Sequence, residues 1–320
     1  MNKYSDKILV SSLESIPHGV LTPSKPVPVD LFMCEKGDEC ILLCPKEYNL
    51  AEAKLKELRS NKAAIFVKKD DLGAFKNYLK KAVLDISSNP NVTREEKSQM
   101  VYSTAVMVVE ELFENIESKE AVEDSKGLAS VVLDNVLSDK AAFLSMVKVL
   151  SYDYYTYSHC VNVCIYSIAI GKKLGLKDKE IEELAHGAML HDIGKARIDS
   201  SILNKEGALT VDEFEIMKTH TTEGKIILES LGETNQNIID SVLYHHEKMD
   251  GSGYPYSLNR YKIPFFAQII SVADVFDALT TKRSYKEALG SFPALRIMKD
   301  RMSIGLNETA LNALVESFRG

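Results

Sequence analysis

The His191-Asp192 doublet constrains this chain more than any other feature, because four of the five further histidines in the same half of the sequence can join it in one site. The doublet stands in Leu190-His191-Asp192-Ile193-Gly194-Lys195, and His159, His220, His245 and His246 accompany it. On a helix adjacent residues diverge by about 100°, so His191 and Asp192 can serve two neighbouring positions of one site. Lys195, three residues beyond Asp192, can project from the same face. Asp274 lies in the apolar run Ile269 to Phe276, where an unpaired carboxylate would be costly to bury and a metal would remove that cost. Five imidazoles and two carboxylates form a mixed nitrogen and oxygen set large enough for two metal ions. His18 and His186 are left outside the set, the second because it points elsewhere on its helix.

Each candidate rides on a separate helical segment. His159 sits among Val161, Ile165 and Ile168, His220 ends Phe214 to His220, and His245-His246-Glu247 closes an apolar helix containing Ile238, Ile239, Val242 and Leu243. From about residue 150 to the end the text is helical, with breaks at Gly171, Gly175, Gly194, Gly207, Gly232, the 251 to 257 loop and Gly290. An all-α helical bundle over residues 149–320 follows.

The first ninety residues read differently. The chain is irregular to about residue 27, punctuated by prolines. Val29 to Met33 and Cys40 to Cys44 then suit a hairpin, Leu50, Leu55 and Leu58 a helix, Ala63 to Val67 a strand, and Leu72, Phe75, Leu79, Ala82 and Val83 a second helix. This predicts a small α+β domain over residues 1–90, with no phosphate loop and no acidic cluster, suited to regulation or partner binding. Residues 91–148 read as a helical linker, opened by a capping box of Thr93 and Glu96 and carrying one apolar stripe through Val101, Ala105, Val108, Val109, Leu112, Phe113 and Ile116.

A formal net charge of -7 argues against binding to polymeric nucleic acid, although a local basic cluster can still hold a small anion. The apolar run Cys160 to Ile170 is too short to span a bilayer and no secretory leader is visible, so the expectation is a cytoplasmic protein with no membrane span. Five cysteines fit reduced thiols, with Cys160 and Cys164 in core packing and no fourth ligand to make zinc of Cys34, Cys40 and Cys44.

The doublet, His159, His220, the His245-His246-Glu247 run, Asp274 and the loop Asp250-Gly251-Ser252-Gly253-Tyr254-Pro255 together resemble the HD-GYP subclass of the HD-domain metal-dependent phosphohydrolases, over about residues 150 to 290. The resemblance implies hydrolysis of cyclic di-GMP, to pGpG, GMP or both, by residues 149–320 acting as the catalytic domain. It implies that His159, His191, Asp192 and Asp274 bind one metal and His220, His245 and His246 the second, with Asp192 bridging. Some family members hold a third metal with a glutamate one turn before the first histidine. Here that position is Tyr155, so two divalent ions are expected, iron first and manganese second.

Two such ions roughly 3.5–4 Å apart lower the pKa of a bridging water and clamp the phosphodiester, so the expected nucleophile is a bridging hydroxide. Asp192 and Lys195 are then the catalytic residues, the lysine either neutralising the phosphorane or protonating the departing oxygen. On the substrate side, Gly251 and Gly253 let the backbone turn closely, next to Pro255, and Tyr254 offers a ring or hydroxyl to the ligand or to a signalling partner. Arg283 and Lys286 match family positions that contact ligand phosphates.

The chain departs from the family pattern at Lys205-Glu206-Gly207, at Ser257 where a glycine is usual, at Gln268 where an arginine is usual, and at Gly305-Leu306-Asn307-Glu308. None removes a metal ligand. The alternative they leave open is a weakly active or inactive sensor that signals through cyclic di-GMP binding and protein contacts. The long helices also raise the expectation of a homodimer.

Overall fold

The computed structural model describes residues 8–16, 21, 26–34, 39–50, 54, 57–58, 64–87, 92–138, 140–150, 156–282 and 287–319. The helix expected from Leu50 to Leu58 falls largely outside them, as do His18, Tyr155, Arg283 and Lys286. The chain divides into two compact units, Met1–Thr104 and Ala105–Gly320.

The first unit carries a five-stranded antiparallel sheet. Its strands are β1 Ile8–Leu9, β2 Leu13–Ile16, β3 Leu31–Cys34, β4 Glu39–Cys44 and β5 Ile65–Lys68, in the order β1-β4-β3-β5-β2. The hairpin β3–β4 and strand β5 form where the apolar runs predict them. The segment expected to be irregular contains β1 and β2, because tertiary pairing supplies what its pattern lacks: Leu13 faces Lys68 and Ile16 faces Ile65 across β5. Both residues are buried while Glu14 and Ser15 between them are exposed, a spacing without the alternation that marks a strand. Helix α1, Leu72–Ser87, buries Phe75, Leu79, Ala82 and Val83 as its periodicity requires.

The reduced thiols expected at Cys34 and Cys40 are not what the structure contains. The hairpin register sets the two residues opposite each other with Cα atoms 4.1 Å apart, and they form a disulfide. Such cross-strand proximity comes from pairing rather than sequence spacing. Cys44, Cys160 and Cys164 are free and buried.

Helix α2, Arg94–Glu114, runs across the division between the units and begins with the expected capping box, Thr93 N–H donating to Glu96 and Glu96 N–H to Thr93 Oγ1. The second unit is helical: α3 Lys119–Leu137, α4 Lys140–Val149, α5 Thr156–Lys173, α6 Asp178–Leu190, α7 Ser200–Leu203, α8 Val211–Lys218, α9 His220–Ser230, α10 Gln236–Tyr244, α11 Phe265–Thr280, α12 Ser291–Arg301 and α13 Glu308–Phe318. Helix α5 is buried on every side from Ser158 to Gly171, so it has no solvent stripe and becomes the central helix, flanked by α3, α6, α11 and α13. A second cluster, built on Leu190, Ile193, Ile227, Leu228, Ile238 and Val242, ties the segment after α6 to α9 and α10. Gly171, expected as a break, lies inside α5. A Cβ there would meet Leu184 Cδ2 at 3.1 Å, so the glycine serves close approach of α6 rather than termination. Among the described residues no helix is long and apolar enough to cross a membrane.

Candidate metal centre

All seven sequence-predicted ligands converge in the second unit, but only His159 and Asp274 lie within helix bodies. His191 and Asp192 follow the end of α6, His220 opens α9, and His245 and His246 follow α10. Helix ends suit imidazoles because the last carbonyls of a helix lack intrahelical donors. His191 Nδ1 donates to Ala188 O at 2.7 Å, His220 Nδ1 to Met217 O at 2.7 Å and His245 Nδ1 to Val242 O at 2.8 Å. Each donation leaves Nε2 as the lone-pair nitrogen, directed into the cluster.

Asp192 stands between two groups. Its Oδ2 lies 3.3 Å from His191 Nε2 and 3.6 Å from His159 Nε2, whereas Oδ1 lies 3.3 Å from His220 Nε2 and 3.9 Å from His245 Nε2. Asp274 reaches both sides as well, with Oδ1 at 3.3 Å from His159 Nε2 and Oδ2 at 3.8 Å from His246 Nδ1. Two sets of potential ligand atoms result, Asp192 with His220, His245 and His246, and His159 with His191 and Asp192. Lys195 Nζ donates to Asp192 Oδ2 at 2.5 Å.

The electrostatics favour ligation. Burial opposes ionisation of Asp192, but the Lys195 ammonium and His191 outweigh it and hold the carboxyl well below the usual range. At Asp274 burial is likewise outweighed, first by the adjoining His159 side chain and then by His246, so this carboxyl too is held well below the usual range. Burial drives His220 down to about 4, and burial with neighbouring imidazoles drives His245 and His246 well below their ordinary value. Ionised Asp192 and Asp274 therefore face neutral His220, His245 and His246 at neutral pH, the protonation states a divalent cation requires. His191 Nε2 and Asp192 Oδ1 are buried with no hydrogen-bond partner. Orphaned atoms of that kind are expensive unless something else fills their valence, so the residues fit the bound metals that the sequence implies.

The loop after α10 closes one side. Glu247, the last residue of the His-His-Glu run, is not aimed at the cluster. Its two oxygens accept the Tyr256 and Leu258 amides at 2.7 and 2.8 Å, clamping the loop. Gly253 packs so tightly that a Cβ would sit 2.4 Å from Lys248 N, and Gly251 has φ +80°. Tyr254 stacks 4.6 Å from the His246 ring, with Phe214 at 6.3 Å and the Lys218 ammonium 5.9 Å from its ring centre. Burial pushes the Tyr254 phenol up, so it stays protonated.

Sequence reasoning missed Asp277 and Asn162. His159 Nδ1 donates to Asp277 Oδ2 at 2.7 Å, and Asn162 Nδ2 donates to Asp277 Oδ1 at 2.8 Å. The available signal was a second aspartate three residues after Asp274 in the same apolar helix. Two departures from the family pattern also prove to be partners: Asn307 Nδ2 donates to Gln268 Oε1 at 2.5 Å.

An all-helical unit whose buried histidine–aspartate cluster is arranged around Asp192 has the ligand set of a candidate metal centre. The chain belongs to the HD domain family, whose profile matches residues 132–303. The HD-GYP resemblance read from the sequence holds in its relatives. A cyclic di-GMP phosphodiesterase of Pseudomonas aeruginosa is 34% identical over 63% of this chain and 49% of its own length. A 3'3'-cGAMP-specific phosphodiesterase of Vibrio cholerae is 34% identical over 50% of this chain and 35% of its own. The chain thus spans half or less of the length of these relatives. The solved structure of Bd1817, an HDG"Y"P protein from Bdellovibrio bacteriovorus, superposes with a TM-score of 0.72 over 96% of this chain and 100% of that one at 21% identity, a likeness of fold.

Proposed function

We propose that this chain is a metal-dependent phosphodiesterase that hydrolyses cyclic di-GMP to pGpG, GMP or both. The observation that carries the reading is Asp192, whose two oxygens face separate imidazole groups. His159, His191, Asp192 and Asp274 hold one cation and His220, His245 and His246 the other, iron or in second place manganese. Asp274 Oδ2 lies 3.8 Å from His246 Nδ1, beside the second set. Bound there, the pair of cations would supply Lewis acidity and would activate water at neutral pH.

The protein's own residues do the rest. Lys195, paired with Asp192, either neutralises the phosphorane or protonates the departing oxygen. Tyr254, on the loop that Gly251, Gly253 and Pro255 shape, presents a protonated hydroxyl and a ring face toward the dinucleotide. Arg283 and Lys286 bind its phosphates. Residues 1–90 regulate the catalytic domain at 149–320 through the linker at 91–148, a signalling partner docks on the small domain or on the loop, and two chains pair as a homodimer in the cytoplasm.

The second reading, a weakly active sensor, draws on the Gln268–Asn307 pair, which replaces an arginine usual in the family with a neutral contact. The test is metal content together with turnover of cyclic di-GMP and 3'3'-cGAMP by anaerobically purified wild type and Asp192→Ala. Two metals per chain and cyclic di-GMP turnover, both lost in the variant, support the enzyme. Metals without turnover of either dinucleotide favour the sensor, and a wild type free of metal in every preparation overturns the centre.

A further inference from the structure

We infer that Asp277 is a positioning residue that makes the two cation positions unequal: by gripping His159 with a buried carboxylate it renders the His159 half the tighter one. The inference rests on the two-cation reading above and goes beyond it.

The starting point is helix polarity. His191, His220 and His245 satisfy Nδ1 with a backbone carbonyl three residues back, at places where the helix has ended or changed. His159 stands near the start of the 18-residue α5, where the orphan backbone groups are N–H donors and no carbonyl is spare. Its Nδ1–H needs an acceptor from another helix. Asp277 of α11 supplies it at 2.7 Å, with 0% exposure, and Asn162, three residues after His159 on the same helix, holds the second oxygen.

Asp274 and Asp277 lie three residues apart on α11, hence on one face. The imidazole is therefore held from both edges by a single helix, Nε2 at 3.3 Å from Asp274 and Nδ1 at 2.7 Å from Asp277. Burying the Asp277 charge against a neutral ring and an amide is costly. A cation on the far side of His159 offsets that cost through the ring, and the carboxylate in turn makes Nε2 a stronger donor. His220 and His245 rest on neutral carbonyls and receive no such reinforcement. The half containing His159 is thus the more anionic, and it fills first.

The test uses the full chain, stripped with chelator and titrated with Mn²⁺ by calorimetry and with Co²⁺ by visible absorption. Asp277→Asn keeps the volume and can still accept from Nδ1, with the Asn162 amide turning to match, so it removes charge more than shape. Wild type is expected to fill in two steps. The variant loses roughly 10- to 100-fold in the tighter step, with an altered first Co²⁺ spectrum and an unchanged weaker step. Asn162→Ala, which leaves the charge in place, loses a few-fold in the tighter step alone, and it carries the test if Asp277→Asn does not fold. A single step in wild type, equal losses in both steps, or no loss in either variant overturns the inference. Wild type that takes up no cation instead overturns the metal reading beneath it.

Discussion

An imidazole's usefulness at this centre is decided by what its outer nitrogen touches, and the same rule explains the histidine left outside. His186 is buried on α6, with its Nε2 3.4 Å from Ser125 Oγ and its Nδ1 unsatisfied. Burial, helped by the charge of Lys126, drives it down to about 3. An unfolded chain takes up that proton first, near pH 6.5, so the folded state loses stability as pH falls from about 6.5 toward 3. Between pH 6.5 and 5 the loss from this one group is about 2 kcal/mol. Urea unfolding of wild type and His186→Gln at pH 7 and 5 checks it: wild type should lose about that much more than the variant, and equal losses would remove His186 as the cause. His186 was legible in the sequence as lying outside the site, because five residues place it on another side of α6. Asp277 was not, since nothing in the sequence says which helix crosses α5 at His159.

At the scale of elements, the loop 251–258 shows how local chemistry and tertiary clamping share a task. Ser257, where a glycine is usual, adopts φ +52° and its hydroxyl donates to Gly253 O at 3.0 Å, so a side chain is accommodated in a conformation glycine adopts freely. What fixes the loop is Glu247. Glu247→Gln retains one acceptor and loses the charge on both hydrogen bonds, worth about 1.5 kcal/mol of local stability. Hydrogen exchange at the Tyr256 and Leu258 amides should quicken by about tenfold while metal uptake stays as in wild type. Unchanged protection would assign the clamp elsewhere. The sequence made the His-His-Glu run look like one functional unit. The helix end splits it, sending two imidazoles to the cluster and the carboxylate to the loop.

For the whole molecule, the cluster stores unfavourable burial that a cation converts to stability. Asp192, Asp277 and four imidazoles lie in the interior of the unit Ala105–Gly320, joined by α5, α6, α9, α10 and α11. A cation present at 100 times its Kd stabilises the folded state by about 2.7 kcal/mol, a rise in Tm of roughly 5–10 °C for a unit of this size. Calorimetry of the chelator-treated chain with and without Mn²⁺ should show that rise in wild type and its absence in Asp192→Ala. Equal melting in all four samples would mean that the cation binds outside this cluster or does not bind.

The sequence by itself determined the helical class of the second unit, the hairpin and final strand of the first, and which seven candidate ligands converge at the centre. Those follow from periodicity and residue chemistry, which are local. The tertiary structure alone decided that β1 and β2 are strands, that Cys34 meets Cys40, that Gly171 is a contact rather than a break, and that Asp277 stands behind His159. Each of these depends on which distant segments touch, and pairing and packing across the chain leave no local trace that spacing can reveal.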